Sequence, residues 1–511
     1  MAKQSASTHL KTTNYLITLR KITQSLALIV FLALMIETAI DRAPHDLTNI
    51  PIRLSPLAML ASLISSRTFL SGMTISLILL LSSLLVGRAW CGWICPMGTV
   101  LDIFRFQKSK SGRKLPENFR AIKYGLLIVL LFSVIFSNLT LLVFDPLTIL
   151  TRTMTLSILP VIDQVITAIE KTLINVPFLT GAIYQFDLWI RPAILPIEPA
   201  VFQYTILNGF FFIGIILLNL LAERFWCRYL CPLGALLGLV SRLSLVKRKV
   251  KDTCVQCHLC EFHCPTGTIN PQKKFTSDPA ECTLCLNCLK DCQKNSLSFS
   301  PSLSLAPRSD YDPGRRTVLN AFLVSLSLTA LLSIEWIKRY PRRHALRPPG
   351  ADGEKLTSTC TRCGLCMKVC PTGALQVNLV ESGIEAAGTP VFVPRLGFCQ
   401  YSCNACGQIC PVGAIPALEL KEKQTKIIGK AYIDHDRCIA WSDHQTCIVC
   451  EEMCPLPNKA ISLESGEFSS PTGDTMTISL PVVNREVCIG CGICENKCPV
   501  AGEAAIRVYT F

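Results

Sequence analysis

Apolar runs, four in the first half of the chain and one in the middle, set the first expectations. At about 1.5 Å rise per residue, roughly 20 apolar residues are needed to cross a bilayer core. Ile22–Ile40, Phe69–Gly87 and Tyr124–Phe144 have that character, and Pro199–Ala222 contains a fourth such stretch. Thr317–Ile334 is the fifth and is uncharged throughout. Leu54–Ser66 is shorter and reads as interfacial or re-entrant. Val161, Ile162, Val165, Ile166, Ile169 and Leu173 recur at helical spacing with Asp163 and Glu170 between them. That pattern predicts an amphipathic helix on a membrane surface.

Charge orients these runs. The net charge is +14, yet from Glu335 onward 18 basic residues balance 18 acidic ones, so the whole excess lies in residues 1–334. It clusters beside the apolar runs: Lys3, Lys11, Arg20 and Lys21 precede the first, and eight Lys or Arg fall between Arg88 and Lys123 against Asp102 and Glu117. Asp145–Glu198 holds only Arg152, Lys171 and Arg191. This is the positive-inside pattern and not a nucleic-acid face. Residues 1–21 and the 88–123 loop are expected inside, and Asp145–Glu198 outside. A mean hydropathy of +0.41 fits a chain largely in lipid.

The second and fourth spans end in a repeat. Arg88-Ala89-Trp90-Cys91-Gly92-Trp93-Ile94-Cys95-Pro96-Met97-Gly98 matches Arg224-Phe225-Trp226-Cys227-Arg228-Tyr229-Leu230-Cys231-Pro232-Leu233-Gly234. Both copies follow an outward-to-inward span, so two helix pairs read as a parallel duplication. Cys91/Cys95 and Cys227/Cys231 are i, i+4 pairs that could present four thiolates together, as a metal centre or redox dithiols at the inner surface. The plainer alternative is packing, or docking of the segment that follows.

The 28 cysteines divide without remainder into these two pairs and six groups of four. Cys254, Cys257, Cys260 and Cys264, followed by Pro265, have the spacing of a bacterial ferredoxin. Short loops let three thiolates reach three irons of one 4Fe–4S cubane, while the fourth reaches a neighbouring cluster. Cys282, Cys285, Cys288 and Cys292 repeat it, with Gln293 in place of proline. Crossed ligation would assign Cys292 to the first group and Cys264 to the second. A structural zinc site expects two C-x2-C pairs, and the third cysteine two residues on spoils that alternative.

Four more groups lie beyond Ala351. Cys360, Cys363, Cys366, Cys370 and Cys488, Cys491, Cys494, Cys498 have the standard spacing. Cys399, Cys403, Cys406, Cys410 widens the first gap to three residues, and Cys438, Cys447, Cys450, Cys454 to eight, with His435, Trp441 and His444 nearby. All four end in Cys-Pro. Such closely spaced thiols do not form the even loop staples of a disulfide framework. Six 4Fe–4S clusters are the expectation. His258 and His263 fall inside cluster loops already supplied by cysteine and read as supporting or solvent-facing groups. Glu37 and Asp145 lie at span ends, where an ionisable group invites a functional reading and solvation by headgroups is the plainer one.

The expected architecture is a polytopic α-helical membrane domain plus α+β ferredoxin-like modules, one two-cluster and one four-cluster. Residues 1–245 are the membrane domain with four spans, and 246–300 the two-cluster module on the cytoplasmic side. Residues 301–350 form a linker in which Arg315 and Arg316 directly precede the span 317–334, and 351–511 are the four-cluster domain, periplasmic. Twin arginines before a modest apolar segment mark export of an already folded protein. The basic run Lys338–Arg343 would then lie outside, against the positive-inside tendency.

The N-terminal half, through Cys292, resembles NapH, the polytopic ferredoxin-type protein of periplasmic nitrate reductase systems, in its four spans, two W-C-x3-C-P-x-G motifs and following two-cluster module. The C-terminal part resembles NapG and its methylamine-utilisation relative MauM. That likeness rests on Arg347-Pro348-Pro349-Gly350-Ala351, Cys360-Thr361-Arg362-Cys363-Gly364-Leu365-Cys366, Gly388-Thr389-Pro390, Cys488-Ile489-Gly490-Cys491-Gly492 and the twin-arginine signal. The resemblance implies a multi-pass protein of the cytoplasmic membrane that takes electrons from the quinol pool and passes them to a periplasmic redox partner. It implies no catalytic residue beyond the cluster cysteines. It also implies that, in the last domain, the first cysteine group pairs with the fourth and the second with the third. Two alternatives stay open: a quinol dehydrogenase complete in itself, and a redox maturation factor supplying electrons to a partner metalloenzyme.

Overall fold

The computed structural model describes residues 2–40, 48–69, 72–105, 117–176, 178–193, 200–302, 319–327 without 321 and 325, 345–379, 382–469 and 475–510. Its contacts divide the chain into two units. Met1–Met35, Ile50–Thr153 and Leu207–Leu331 form the first, and Ile36–Asn49, Met154–Ile206 and Leu332–Phe511 the second. Arg315 and Arg316 lie outside the described residues.

The first unit is built on the helices Ala2–Ile40, Pro56–Ser66, Met73–Val86, Ala121–Ile135, Thr205–Leu217 and Pro232–Ser241. Each lacks an interior proline and, apart from the polar start of Ala2–Ile40, runs where the sequence is apolar. Ser55 caps the second of these, accepting a hydrogen bond from Ala58 N at 3.2 Å, with Pro56 in its first turn. The helices bury Leu57, Met59, Leu127 and Leu233 together with small polar residues, and leave other large apolar residues exposed. Ser62, Ser76, Ser83 and Ser133 are buried between helices, while Ile78, Phe210 and Ile206 are exposed by 67, 68 and 73%. Ser76 Oγ and Ser83 Oγ are satisfied within their own helices, donating to Met73 O and Leu80 O at 2.8 and 2.6 Å. Small residues between helices and exposed apolar faces are features found in helices packed in lipid.

Two helices among the described residues are long and apolar enough to cross a membrane, Thr13–Glu37 and Pro146–Leu173. The first contains most of the expected first span; the second was not among the five. The expected spans at 69–87, 124–144 and 199–222 contain helices of only 14, 15 and 13 residues. At about 1.5 Å per residue these fall short of a core of roughly 30 Å. Local chemistry ends them early. Ser137 turns left-handed at φ 59°, inside the 124–144 run. Beyond Leu217 the backbone tightens into a 3-10 turn, Leu218–Leu220. Of the fifth span, the described residues are helical, and Phe322 meets Phe132 edge-on with ring centroids 4.8 Å apart.

The same unit carries the first cysteine-rich module. Val246–Val250 pairs antiparallel with Leu297–Pro301, and Ile269–Asn270 with Thr276–Ser277. Ile269, Phe275, Leu297, Cys260 and Cys288 form its core.

In the second unit three antiparallel pairs frame the last four cysteine groups: Leu375–Val377 with Pro390–Phe392, Lys430–Ile433 with Ile506–Tyr509, and the hairpin Ile461–Ser469 with Thr475–Val483. This unit also contains the segment 154–206. Gln376 Nε2 donates to Val201 O at 3.0 Å, and Gln203 N donates to Gln376 Oε1 at 3.1 Å. Within that segment the helix Leu159–Leu173 is amphipathic with its acids turned inward. Arg191, from the helix Thr180–Ala193, meets Asp163, Glu170 and Asp187 at 3.5, 3.0 and 2.5 Å, while Val161, Val165 and Ile169 stay exposed.

Candidate iron–sulfur centres

A C-x2-C-x2-C loop must turn three thiols to one side within seven residues. All four loops with that spacing solve the problem alike. The residues just before and just after the second cysteine have positive φ: Gln256 and His258 at 54° and 60°, Leu284 and Leu286 at 47° and 63°, Arg362 and Gly364 at 61° and 83°, Gly490 and Gly492 at 73° and 76°. This curl lines the concave side with backbone N–H groups, the form that holds an anionic centre. Arg362 N donates to Cys360 Sγ at 3.3 Å, and the N–H groups of Leu284, Leu365 and Ile493 donate to Cys282, Cys363 and Cys491. In the two widened groups the equivalent residues Asn404 and Ile448 have φ of −132° and −114°. The longer first gap reaches round without the curl.

The loops then combine. In the first module Cys260 lies among Cys254, Cys257 and Cys292, and Cys288 among Cys282, Cys285 and Cys264. In the last domain one cavity is lined by Cys360, Cys363, Cys366 and Cys410, a second by Cys438, Cys447, Cys450 and Cys498, and a third by Cys454, Cys488, Cys491 and Cys494. Cys406 lies beside Cys399, Cys403 and Cys370. The first group therefore pairs with the second and the third with the fourth, which corrects the first-with-fourth pairing implied by the resemblance. Helix packing is the reason. Leu365–Lys368 packs on Ala405–Gln408, and Val449–Glu452 on Ile493–Lys497, with the long hairpin returning the chain from the third group to the fourth.

These cradles fit a 4Fe–4S cluster. Their donors are soft thiols, their other lining is almost wholly apolar, and four thiols surround each cavity. Among the described residues no three His, Cys, Asp or Glu side chains are placed to hold a single metal ion. Burial pushes the Cys363 and Cys282 thiols up to about 12, so only a strong positive charge would hold them as thiolates. His258 and His263 are half exposed and meet Glu261 and Asp291, each at 2.8 Å. His435 stacks on Trp441 at 4.0 Å between centroids. His444 lies 4.0 Å from the Phe468 ring. Asp145 is buried at a helix start, accepting from Ser55 Oγ at 2.8 Å and Thr148 N at 3.1 Å, while Glu37 is exposed.

The C-x3-C-P pairs also meet. Cys91, Cys95, Cys227 and Cys231 are all buried. Cys227 and Cys91 lie close enough for the ionisation of one to oppose that of the other, and Cys231 senses the other three likewise. The two copies interlock through their arginines. Arg224 donates to Cys91 O at 3.1 Å and grips Asp102 at 2.7 and 2.5 Å. Arg88 Nη2 lies 2.7 Å from where a Cβ on Gly234 would sit, next to Cys231 Sγ. Each copy's arginine thus covers the other copy's C-P-x-G turn. The matched positions of Arg88 and Arg224 were visible in the repeat, but their crossing was not.

Arg88 also anchors the first module. With Lys123 and Tyr124 it surrounds Glu281 at 3.0, 2.5 and 3.0 Å, all but Tyr124 nearly or fully buried. Burial alone would raise the Glu281 carboxyl, but Lys123, Arg88 and Arg120 outweigh it and hold it down at about 2. Trp93 Nε1 donates to Leu284 O at 3.0 Å, and Arg120 to Gly267 O at 2.5 Å. Nothing in the sequence singled out Glu281 beyond its place before Cys282.

Cysteine cradles of this form define an iron–sulfur electron-transfer protein of ferredoxin type. Two family models, each described as a 4Fe-4S binding domain, match the chain, one at 68–114, 204–251 and 406–418 and the other at 355–376 and 481–501. The first two segments contain the C-x3-C-P copies. The chain is 38% identical to the methylamine utilization ferredoxin-type protein MauM of Paracoccus denitrificans, over 32% of this chain and 70% of that one. It is 35% identical to MauM of Methylorubrum extorquens, over 38% and 89%. With the ferredoxin-type protein NapG of Escherichia coli it shares 37% identity over 32% and 69%. The chain spans only 58% of the length of NapG from Haemophilus influenzae, at 35% identity. It belongs to the NapG/MauM family of ferredoxin-type proteins. No solved structure matches.

Proposed function

We propose that this protein is a membrane-anchored conduit holding six 4Fe–4S clusters, which accepts electrons from quinol and delivers them to a redox partner protein in the periplasm. The observation that carries the reading is the sorting of the 24 grouped cysteines into four-thiol sets within two separate modules. Each cluster supplies one-electron chemistry when bound; the protein holds the clusters, excludes water and shapes their surroundings. Membrane attachment is supported by exposed apolar helix faces and by Thr13–Glu37, a helix of spanning length. The first module packs on the 88–123 loop that charge assigns to the cytoplasm. The last domain packs on the 154–206 segment assigned to the periplasm. The likeness to NapG and MauM supports a partner that consumes or supplies electrons. The clusters and a quinol site make up the working parts of this reading.

The test uses anaerobically purified full-length protein. Iron assay should give about 24 atoms per chain, four for each cluster. A soluble quinol analogue should bleach the visible cluster absorbance. Iron near eight would mean that the last domain does not hold clusters, and bleaching by dithionite alone would remove quinol from the reading.

A further inference from the structure

We infer that a cleft between the first helix and the Pro96–Ile103 helix binds the head of the quinol, and that it serves one particular cluster of the first module. This rests on the quinol-driven function proposed above. The cleft has a volume of about 480 Å³, within the usual range of small-molecule sites.

Its walls converge on a single cysteine set. Pro265, which follows Cys264, and Asn287, which lies between Cys285 and Cys288, both line it. Arg20, a third wall residue, lies near enough to Cys285 for the two to interact electrostatically. All three belong to, or touch, the set Cys264, Cys282, Cys285 and Cys288. A ring seated here would be one side chain away from that cluster.

The cleft is also graded from polar to apolar. Arg20 and Lys21 stand at one end; Leu28 and Ile29, eight residues on, lie about 12 Å further along the same helix. That helix is one of the two of spanning length. Ile29 and Ile103, both wall residues, are 60 and 63% exposed. An isoprenoid-bearing molecule could therefore enter from lipid with its ring leading.

Polar groups wait for that ring. Gln24 and Thr99 are buried in the wall, and Gln24 Nε2 donates to Asp102 Oδ2 at 3.1 Å. Asp102 is itself fixed by Arg224, which covers the four-thiol site. Arg20 Nε is buried with no hydrogen-bond partner among the described residues. A ring oxygen would satisfy it. Oxidation breaks both quinol O–H bonds and leaves two ring carbonyls. The two protons pass to water at the mouth beside Lys21 and Arg105. With oxidised clusters bound, Cys264, Cys282, Cys285 and Cys288 would hold the acceptor for the first of the two electrons, and the module's other cysteine set would hold the acceptor that clears it for the second.

Ser25→Trp and Ile29→Trp, both at exposed positions, would fill the cleft. In the full-length protein each should slow bleaching by a short-chain quinol about tenfold or more, with iron content and bleaching by dithionite unchanged. Wild-type rates in both variants would overturn the site while leaving quinol as donor. A wild-type protein that dithionite bleaches and quinol does not would overturn site and function together. If either variant loses iron, a photoreactive azidoquinone on wild-type protein decides the matter. Label in residues 20–29 or 99–105 supports the site, and label elsewhere overturns it. The basic wall would also suit an acidic lipid headgroup. Label displaced by phosphatidylglycerol but not by unreactive quinone would assign the cleft to lipid and end the proposal.

Discussion

At the scale of single residues, the cluster loops show a cost accepted for a shape. Leu284, Leu286, Gln256, His258 and Arg362 hold left-handed backbone where glycine would sit freely, at roughly 1–2 kcal/mol each. Arg362 is the most tightly held. It is buried, and its guanidinium donates to Cys360 O, Ala387 O and Glu385 O at 2.9, 2.8 and 2.7 Å. The spacing of the cysteines made the donors legible in the sequence, and Gly364, Gly490 and Gly492 hinted at the curl. The partner of each fourth cysteine was not legible, because packing between short helices decides it. Paired substitutions read that partnership directly. Cys360→Ser with Cys410→Ser should disrupt one cluster and remove about four irons. Cys360→Ser with Cys498→Ser should disrupt two and remove about eight. The opposite result, by iron assay and cluster absorbance, would restore the first-with-fourth pairing.

At the scale of elements, what joins the first module to the helices is a buried charge cluster and not an apolar seam. Glu281 faces Lys123 and Arg88 with almost no exposure to water. Because its folded pKa of about 2 lies below the usual carboxylate value, its contribution is present in full at neutral pH. It is lost only as pH falls from about 4.3 towards 2. Glu281→Gln would leave two cations buried without a counter-charge, a change that typically costs about 3–5 kcal/mol. Limited proteolysis should then cut residues 246–300 faster than in wild type, while the last domain keeps its wild-type cleavage rate. Equal rates for 246–300 in both proteins would mean that the charge cluster does not hold the module. The repeated R-x-W-C-x3-C-P motif announced these helix ends, and hydropathy found where the helices lie. Their lengths were not legible, since a left-handed turn at Ser137 and a 3-10 turn at Leu218–Leu220 end two of them inside runs that stay apolar.

At the scale of the whole molecule, function depends on where the two modules are delivered. Clusters are inserted in the reducing cytoplasm, and an unfolded-chain route would carry bare cysteines into an oxidising space. On the topology proposed above, the last domain would have to cross folded, with its clusters already seated. On the function proposed above, Arg315 and Arg316 would supply the signal for such a route, and changing both to Lys would keep the local charge while removing it. In wild-type spheroplasts, external protease should reach residues 351–511 and spare 246–300. In the Arg315→Lys, Arg316→Lys protein the last domain should become protected, with 246–300 protected as before. If the last domain stays accessible after the change, the arginines serve only as positive-inside anchors and another route moves it. If wild-type protein shows no accessible last domain, both modules share the cytoplasm and no electrons cross the membrane through this chain.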